Sequence, residues 1–238
     1  TKAAAVFLRY GLRIPYRKVQ ELFDVFFNMP FVPASAMAFD RQAARNGQGL
    51  YEDLKQKLRA SAVVHADETH WRENGVTHYV WYGGNDDLAF FHIDRRRSSA
   101  VASSVFGNDF EGVLHTDGYA AYNAVNPKAR QSCLAHLIRK AKQIRQEILL
   151  KDKPFQNKRS VLFCESIITL FKKVCETAQK FTTGDIPRHR SEAFKQRFYS
   201  MLHSICAANF ADETAQSLKQ RLMDHQREYN RLFTFLDY

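Results

Sequence analysis

Two aspartates occupy matching places in two short stretches of the sequence. In VVHADETH (63–70) and VLHTDGY (113–119), two apolar residues are followed by His, a small residue and Asp, so Asp67 and Asp117 each end an apolar run. Side chains alternate along a strand, which puts Val63, His65 and Asp67 on one face and Glu68 on the other. If the two strands are neighbours, the carboxylates meet at one end of a sheet, where like charges repel unless protonated or bridged by cations. Carboxylate oxygens suit the hard ion Mg²⁺, and two such ions about 3.5–4 Å apart can activate an attacking oxygen and stabilise a leaving one. The chain carries a net charge of +10, which favours a polyanionic partner. The acidic pair and the basic balance together point to metal-dependent processing of nucleic acid. Taken singly, each Asp could equally cap the turn after its strand; the matched settings favour a joint site.

The elements that must deliver these residues follow from periodicity. Residues 63–67, 77–83 and 88–94 are short, rich in β-branched and aromatic side chains, and separated by Asn74-Gly75 and by Gly83-Gly84-Asn85-Asp86. This pattern predicts an antiparallel three-strand meander. SSAVASSVF (98–106) reads as a helix capped by Ser98 or Ser99, with Gly107 and Gly112 as breakers, and VLHTD follows as a strand. A strand reached through a helical crossover lies parallel to its neighbour. The order is β-β-β-α-β, followed by a short strand near 130–134 and a basic helix over 134–146, an α/β fold with a mixed sheet over residues 61–150.

Both flanks read as helical. Over 1–60, Val19, Leu22, Phe23 and Phe26 recur at helical spacing, Met29-Pro30 and Pro33 break the run, and Ser35 is a cap for a second helix through Leu50, Leu54 and Leu58. The segment is helix-turn-helix-like, or a helical pair that packs on the next domain. Over 151–238 three helices are expected, one lined by Val161 to Val174, one by Phe194, Phe198, Leu202 and Ile205, and one by Leu218, Leu222, Tyr229, Leu232, Phe233 and Leu236; Pro154 and TTGDIP (182–187) mark connections.

With 45% hydrophobic residues the chain can bury a core. No apolar run approaches the roughly 18 residues of a membrane span, and Arg9, Arg13, Arg17 and Lys18 replace any signal-peptide apolar core. Four cysteines without a CxxC pair fit a reducing cytosol. Cys133 and His136 supply two ligands where structural zinc takes four. Arg95, Arg96 and Arg97 after the third strand, and His136, Arg139, Lys140 and Lys142 on the basic helix, are candidate phosphate contacts; the alternative is a solvated charged face. His65 and His115 read as hydrogen-bonded core histidines, or as supports for a metal or phosphate. Tyr119 and Tyr122 fit base stacking or packing equally, and Trp71 fits packing.

HADETHWR (65–72), LHTDGYAAYN (114–123) and CLAHLIRKAKQ (133–143) resemble the motifs of bacterial insertion-sequence transposases of family sixty-six, within the DDE superfamily, and residues 14–39 resemble the helical segment that precedes that family's catalytic core. The resemblance implies a ribonuclease H-like core with a helical N-terminal segment and an all-helical insertion. It implies Asp67 and Asp117 as catalytic Mg²⁺ ligands in a two-ion site, with Mn²⁺ able to substitute. It also implies cleavage at transposon ends that frees a 3′-hydroxyl, followed by strand transfer into target DNA. Double-stranded DNA is the implied partner, with a homo-oligomer assembled on it in the bacterial cytoplasm. The family's third carboxylate, a glutamate from a later helix, matches none of Glu147, Glu165, Glu176, Glu192, Glu213 or Glu228 by motif, and is expected beyond Tyr238 in a longer parent chain. Without it the fragment is expected to bind metal and to be weakly active or inactive. The rival readings are a structure-selective nuclease on the same core and a catalytically inactive DNA-binding remnant.

Overall fold

A computed structural model describes residues 1–152, 156–229 and 232–234, without the side chains of 225–229. The chain divides into two compact units, Thr1–Lys57 and Leu58–Tyr238.

The first unit is helical: α1 (Lys2–Val6) continues as a π-helical turn Phe7–Gly11, followed by α2 (Tyr16–Phe27), α3 (Pro33–Asn46) and most of α4 (Gln48–Arg59). Its core is Ala5, Val19, Phe23, Phe31 and Ala36, with Phe23 and Phe31 stacked at 4.7 Å. Pro33 does not break a helix here but starts one, at a first-turn position where its missing N–H costs nothing. Ser35 therefore lies inside α3 and is not its cap. A separate helix, α4, begins after Gly47.

The second unit is built on a five-stranded mixed sheet in the order β3-β2-β1-β4-β5. The strands are β1 (Val63–Glu73), β2 (Val76–Gly84), β3 (Ala89–Asp94), β4 (Asp109–Thr116) and β5 (Asn126–Ser132). β1 to β3 form an antiparallel meander, and β4 and β5 add parallel strands. The β1–β2 turn holds Asn74 and Gly75 at φ of 49° and 81°, the left-handed pair that a two-residue hairpin needs. The next turn is closed by Asn85, whose Oδ1 accepts from the N–H groups of Asp87 and Leu88. β1 does not stop at its aspartate. It runs six residues further, paired with β2 as far as Glu73↔Val76, while its pairing with β4 ends at His65↔His115. Trp71, on this overhang, is half exposed and not a packing residue.

α5 (Ser99–Phe106) crosses between β3 and β4 and covers one face of the sheet. Ser98 takes the N-cap position, although its hydroxyl makes no capping bond. That face carries Val64, Ala66, Trp81, Phe90 and Leu114, and buries them with Val101, Ala102, Val105 and Phe106 of α5 and with Leu58. Gly112 is a strand residue and not a breaker. A Cβ there would lie 2.5 Å from the Ser61 carbonyl oxygen and 2.6 Å from that of Ala62, so only glycine admits this close approach.

α6 (Leu134–Leu149) follows β5 after a single residue, and its apolar stripe of Leu137, Ala141, Ile144 and Ile148 joins a helical core with α7 (Lys158–Thr182), α8 (Ser191–Cys206) and α9 (Glu213–Tyr229). Asn157 caps α7 by accepting from the Ser160 N–H. Leu232 and Phe233 pack into this core beyond α9. Pro154, Leu236 and the side chain of Tyr229 lie outside the described residues. Among the described residues no helix is long and apolar enough to cross a membrane.

Candidate metal centre

The parallel pairing of β1 with β4 places His65 opposite His115. Two residues further along each strand stand Asp67 and Asp117, at the end of the sheet where β4 finishes and β1 continues. β5 finishes beside them, and the Cys133 N–H donates to the Thr116 carbonyl (2.7 Å), which fixes the start of α6 next to the residue preceding Asp117. The first turn of α6 thereby brings in His136. One ligand atom from each of Asp67, Asp117 and His136 lies within 4.8 Å of the other two. They open on a cavity of about 220 Å³ whose wall includes His65, Tyr82 and His115.

Each carboxylate already uses one oxygen locally: Asp67 Oδ1 accepts from the Glu68 N–H (3.0 Å) and Asp117 Oδ1 from the Tyr119 N–H (2.8 Å). Two carboxylates in such proximity repel, and a cation relieves the repulsion. His136 Nδ1 is buried with no hydrogen-bond partner among the described residues, an arrangement that costs free energy unless something else occupies the nitrogen. The donor set of two carboxylates and one imidazole fits a divalent cation, and the imidazole favours Mn²⁺ over the strictly oxygen-seeking Mg²⁺. His65 and His115 meet through their Nδ1 atoms at 2.5 Å, one ring donating to the other. Burial, followed by the proximity of His65 and His136, lowers the His115 pKa to about 4. His115 is therefore neutral at pH 7 and sets no positive charge against a cation.

Glu68 lies on the opposite face, as strand alternation requires. Its side chain is 1% exposed. Arg97 donates to Oε1 from Nε (3.0 Å) and Nη2 (2.6 Å), and the Tyr122 hydroxyl donates to Oε2 (2.5 Å). Burial raises the Glu68 pKa against the opposing pull of the Tyr122 and Arg97 bonds, and the Asp117 charge pushes the same way as burial. The Arg97 guanidinium also stacks 3.8 Å over the Tyr119 ring, while the Tyr119 hydroxyl donates to the Arg97 carbonyl (2.9 Å). Tyr122 packs edge-on against Trp81 and is fully buried.

The candidate phosphate contacts thus fall in different settings. Arg97 is engaged with a buried carboxylate, and Arg96 with Asp94 (3.2 Å). Arg95, Arg139 and Lys140 are exposed, the last two on α6 one turn beyond His136. His136 sits with the aspartates and not on a solvent-facing basic stripe. Cys133 lines the same cavity without joining the three ligand atoms. Among the described residues no glutamate joins Asp67 and Asp117, and the side chain of Glu228 lies outside them. The sequence signals for His136 were the Cys-x-x-His spacing, which suggested half of a zinc site, its place among the basic residues of α6, and the motif CLAHLIRKAKQ; none of them placed it with the aspartates.

Over residues 1–238 the sequence matches a family model described as Transposase IS66 family. A comparison with curated proteins returns no match.

Proposed function

The chain belongs to the IS66 family of transposases, and from that membership we propose that it is a DDE-type enzyme that cuts phosphodiester bonds at transposon ends and joins the freed 3′-hydroxyls to target DNA. The observation that carries this reading is the convergence of Asp67, Asp117 and His136 at the ends of adjacent parallel strands. The strand order β3-β2-β1-β4-β5, with an antiparallel meander continued by parallel strands, supports a ribonuclease H-like core.

In this reading Asp67 and Asp117 would hold Mg²⁺ in a two-ion site, with Mn²⁺ able to replace it, and His136 would contribute a nitrogen ligand. Bound divalent cations in such a site lower the barrier to attack on a phosphodiester and stabilise the departing oxygen. The protein's own part is positional. The sheet holds Asp67, the turn after β4 holds Asp117, and α6 presents His136 from the third side. Neutral His115, paired with His65, walls the cavity without setting a positive charge beside the cations. Arg139 and Lys140 on α6 and Arg95 after β3 neutralise backbone phosphates on either side of the cut. Double-stranded DNA is the partner, and a homo-oligomer on DNA brings two ends together.

The test is cleavage of DNA carrying the element's ends, in Mg²⁺, by the full-length enzyme and by its Asp67→Asn and Asp117→Asn variants. Both variants should retain the wild-type circular dichroism spectrum and lose cleavage and joining; normal cleavage by either refutes the assignment. Cleavage without joining of the 3′-end to a second duplex would identify a nuclease instead.

A further inference from the structure

We propose that Arg221 is a positioning residue for Asp117, by which the helical region sets the second half of the metal centre. The two aspartates are held in unequal ways. Asp67 lies inside β1, locked by its ladder with Tyr82 on β2. Asp117 lies one residue beyond the last ladder pair of β4, Thr116↔Ser132, and is followed by Gly118 at φ 84°, a residue that restricts the chain less than any other. Strand pairing alone therefore does not fix the Asp117 main chain.

α9 supplies the missing hold. It is seated in the helical core through Ala215, Leu218 and Leu222, and from that seat Arg221 extends its guanidinium so that Nη2 donates to the Asp117 carbonyl oxygen (2.8 Å). Together with the Tyr119 N–H on Oδ1, this bond leaves Asp117 with its main-chain oxygen and one carboxylate oxygen both fixed by the protein. The contact joins residues 104 positions apart. Residues that orient a metal ligand typically change metal affinity about 10–100-fold when removed. By linkage, any cation held at Asp117 stabilises the docking of α9 to the same extent.

This inference rests on the reading of Asp117 as a metal ligand, and the experiment separates the two. Mn²⁺ dissociation constants are measured by electron paramagnetic resonance of the free ion for the wild-type chain, Arg221→Met, Arg221→Lys and Asp117→Asn, with thermal melts in parallel. Met keeps the aliphatic stem without a donor, and Lys restores a donor. Arg221→Met should raise the Mn²⁺ dissociation constant about 10-fold, and Arg221→Lys should recover most of that loss. Equal constants for the Met and Lys variants and the wild type, whatever their melting temperatures, would make Arg221 an ordinary packing contact and overturn the proposal. A wild-type chain that does not bind Mn²⁺, or an unchanged constant in Asp117→Asn, would instead bring down the metal reading of the site, and this inference with it.

Discussion

Replacing Tyr122 with Phe removes one hydroxyl and nothing else from the buried network beneath the candidate centre. The ring stays packed on Trp81 and Phe106, so no cavity opens. Glu68, at 1% exposure, keeps Arg97 on Oε1 and loses its partner on Oε2. A hydrogen bond to a charged group contributes about 1.5–3 kcal/mol, and the burial here puts the expected loss near 2 kcal/mol. For a protein of this size that corresponds to about 4–8 °C in melting temperature. The loss should also depend on pH. Burial raises the folded-state pKa of Glu68, so its contribution to stability is full below the unfolded pKa of about 4.3 and declines as pH rises through the folded value. The Tyr122 bond opposes that rise, and its removal lifts the pKa further. The Tyr122→Phe deficit is therefore largest where Glu68 is ionised and shrinks as pH falls through its pKa, towards the roughly 1 kcal/mol of a neutral bond. Urea unfolding at pH 7.5 and at about pH 4, below the unfolded pKa, read as a shift in midpoint at unchanged slope, measures both effects. A deficit below about 0.5 kcal/mol, or one identical at the two pH values, would show that Glu68 does not depend on this hydroxyl.

Gly112→Ala should destabilise by more than about 2 kcal/mol, because the new methyl group meets two backbone oxygens that cannot turn aside. Gly83→Ala should cost less, since its Cβ meets the side chains of Phe106 (2.7 Å) and Leu58 (3.0 Å), which can rotate; thermal melts of the two variants rank them. Burial pushes the Asp212 pKa up, but hydrogen bonds from Thr214, Lys151 and the Ala215 N–H outweigh it and hold the carboxyl at about 2. A folded pKa below the unfolded one gives stability that is present above about pH 4 and lost as pH falls towards 2, so the gap between the wild type and Asp212→Ala in acid unfolding should close over that window. His136→Ala should weaken Mn²⁺ binding more than Mg²⁺ binding, since an imidazole suits the former better; calorimetric titration with each ion tests it.

The meander and the crossover helix were legible because the strands are short and rich in β-branched and aromatic residues and the turns carry Asn-Gly and Asn-Asp. The overhang of β1 was not. Residues 68–73 (ETHWRE) offer little apolar alternation, and they stay extended through the hairpin ladder with β2 and not through burial. The opposite facing of Asp67 and Glu68 followed from strand period alone. His136 could not be placed with the aspartates from Cys-x-x-His spacing, because its position depends on α6 starting one residue after β5, at the sheet end where ligands collect. Ser35 was misread as the cap because the fixed φ of Pro33 already serves the first turn of the second helix. Arg221 left no local trace, since its partner is a main-chain carbonyl more than a hundred residues away.

The way the acidic pair is divided along the chain has a consequence for folding. The meander that carries Asp67 closes through two short turns, whereas the strand that brings Asp117 must first cross by α5, and pairings so distant in sequence form slowly. A chain caught midway owns one carboxylate without its mate. The acidic pair is therefore assembled only once that crossover has brought β4 alongside β1.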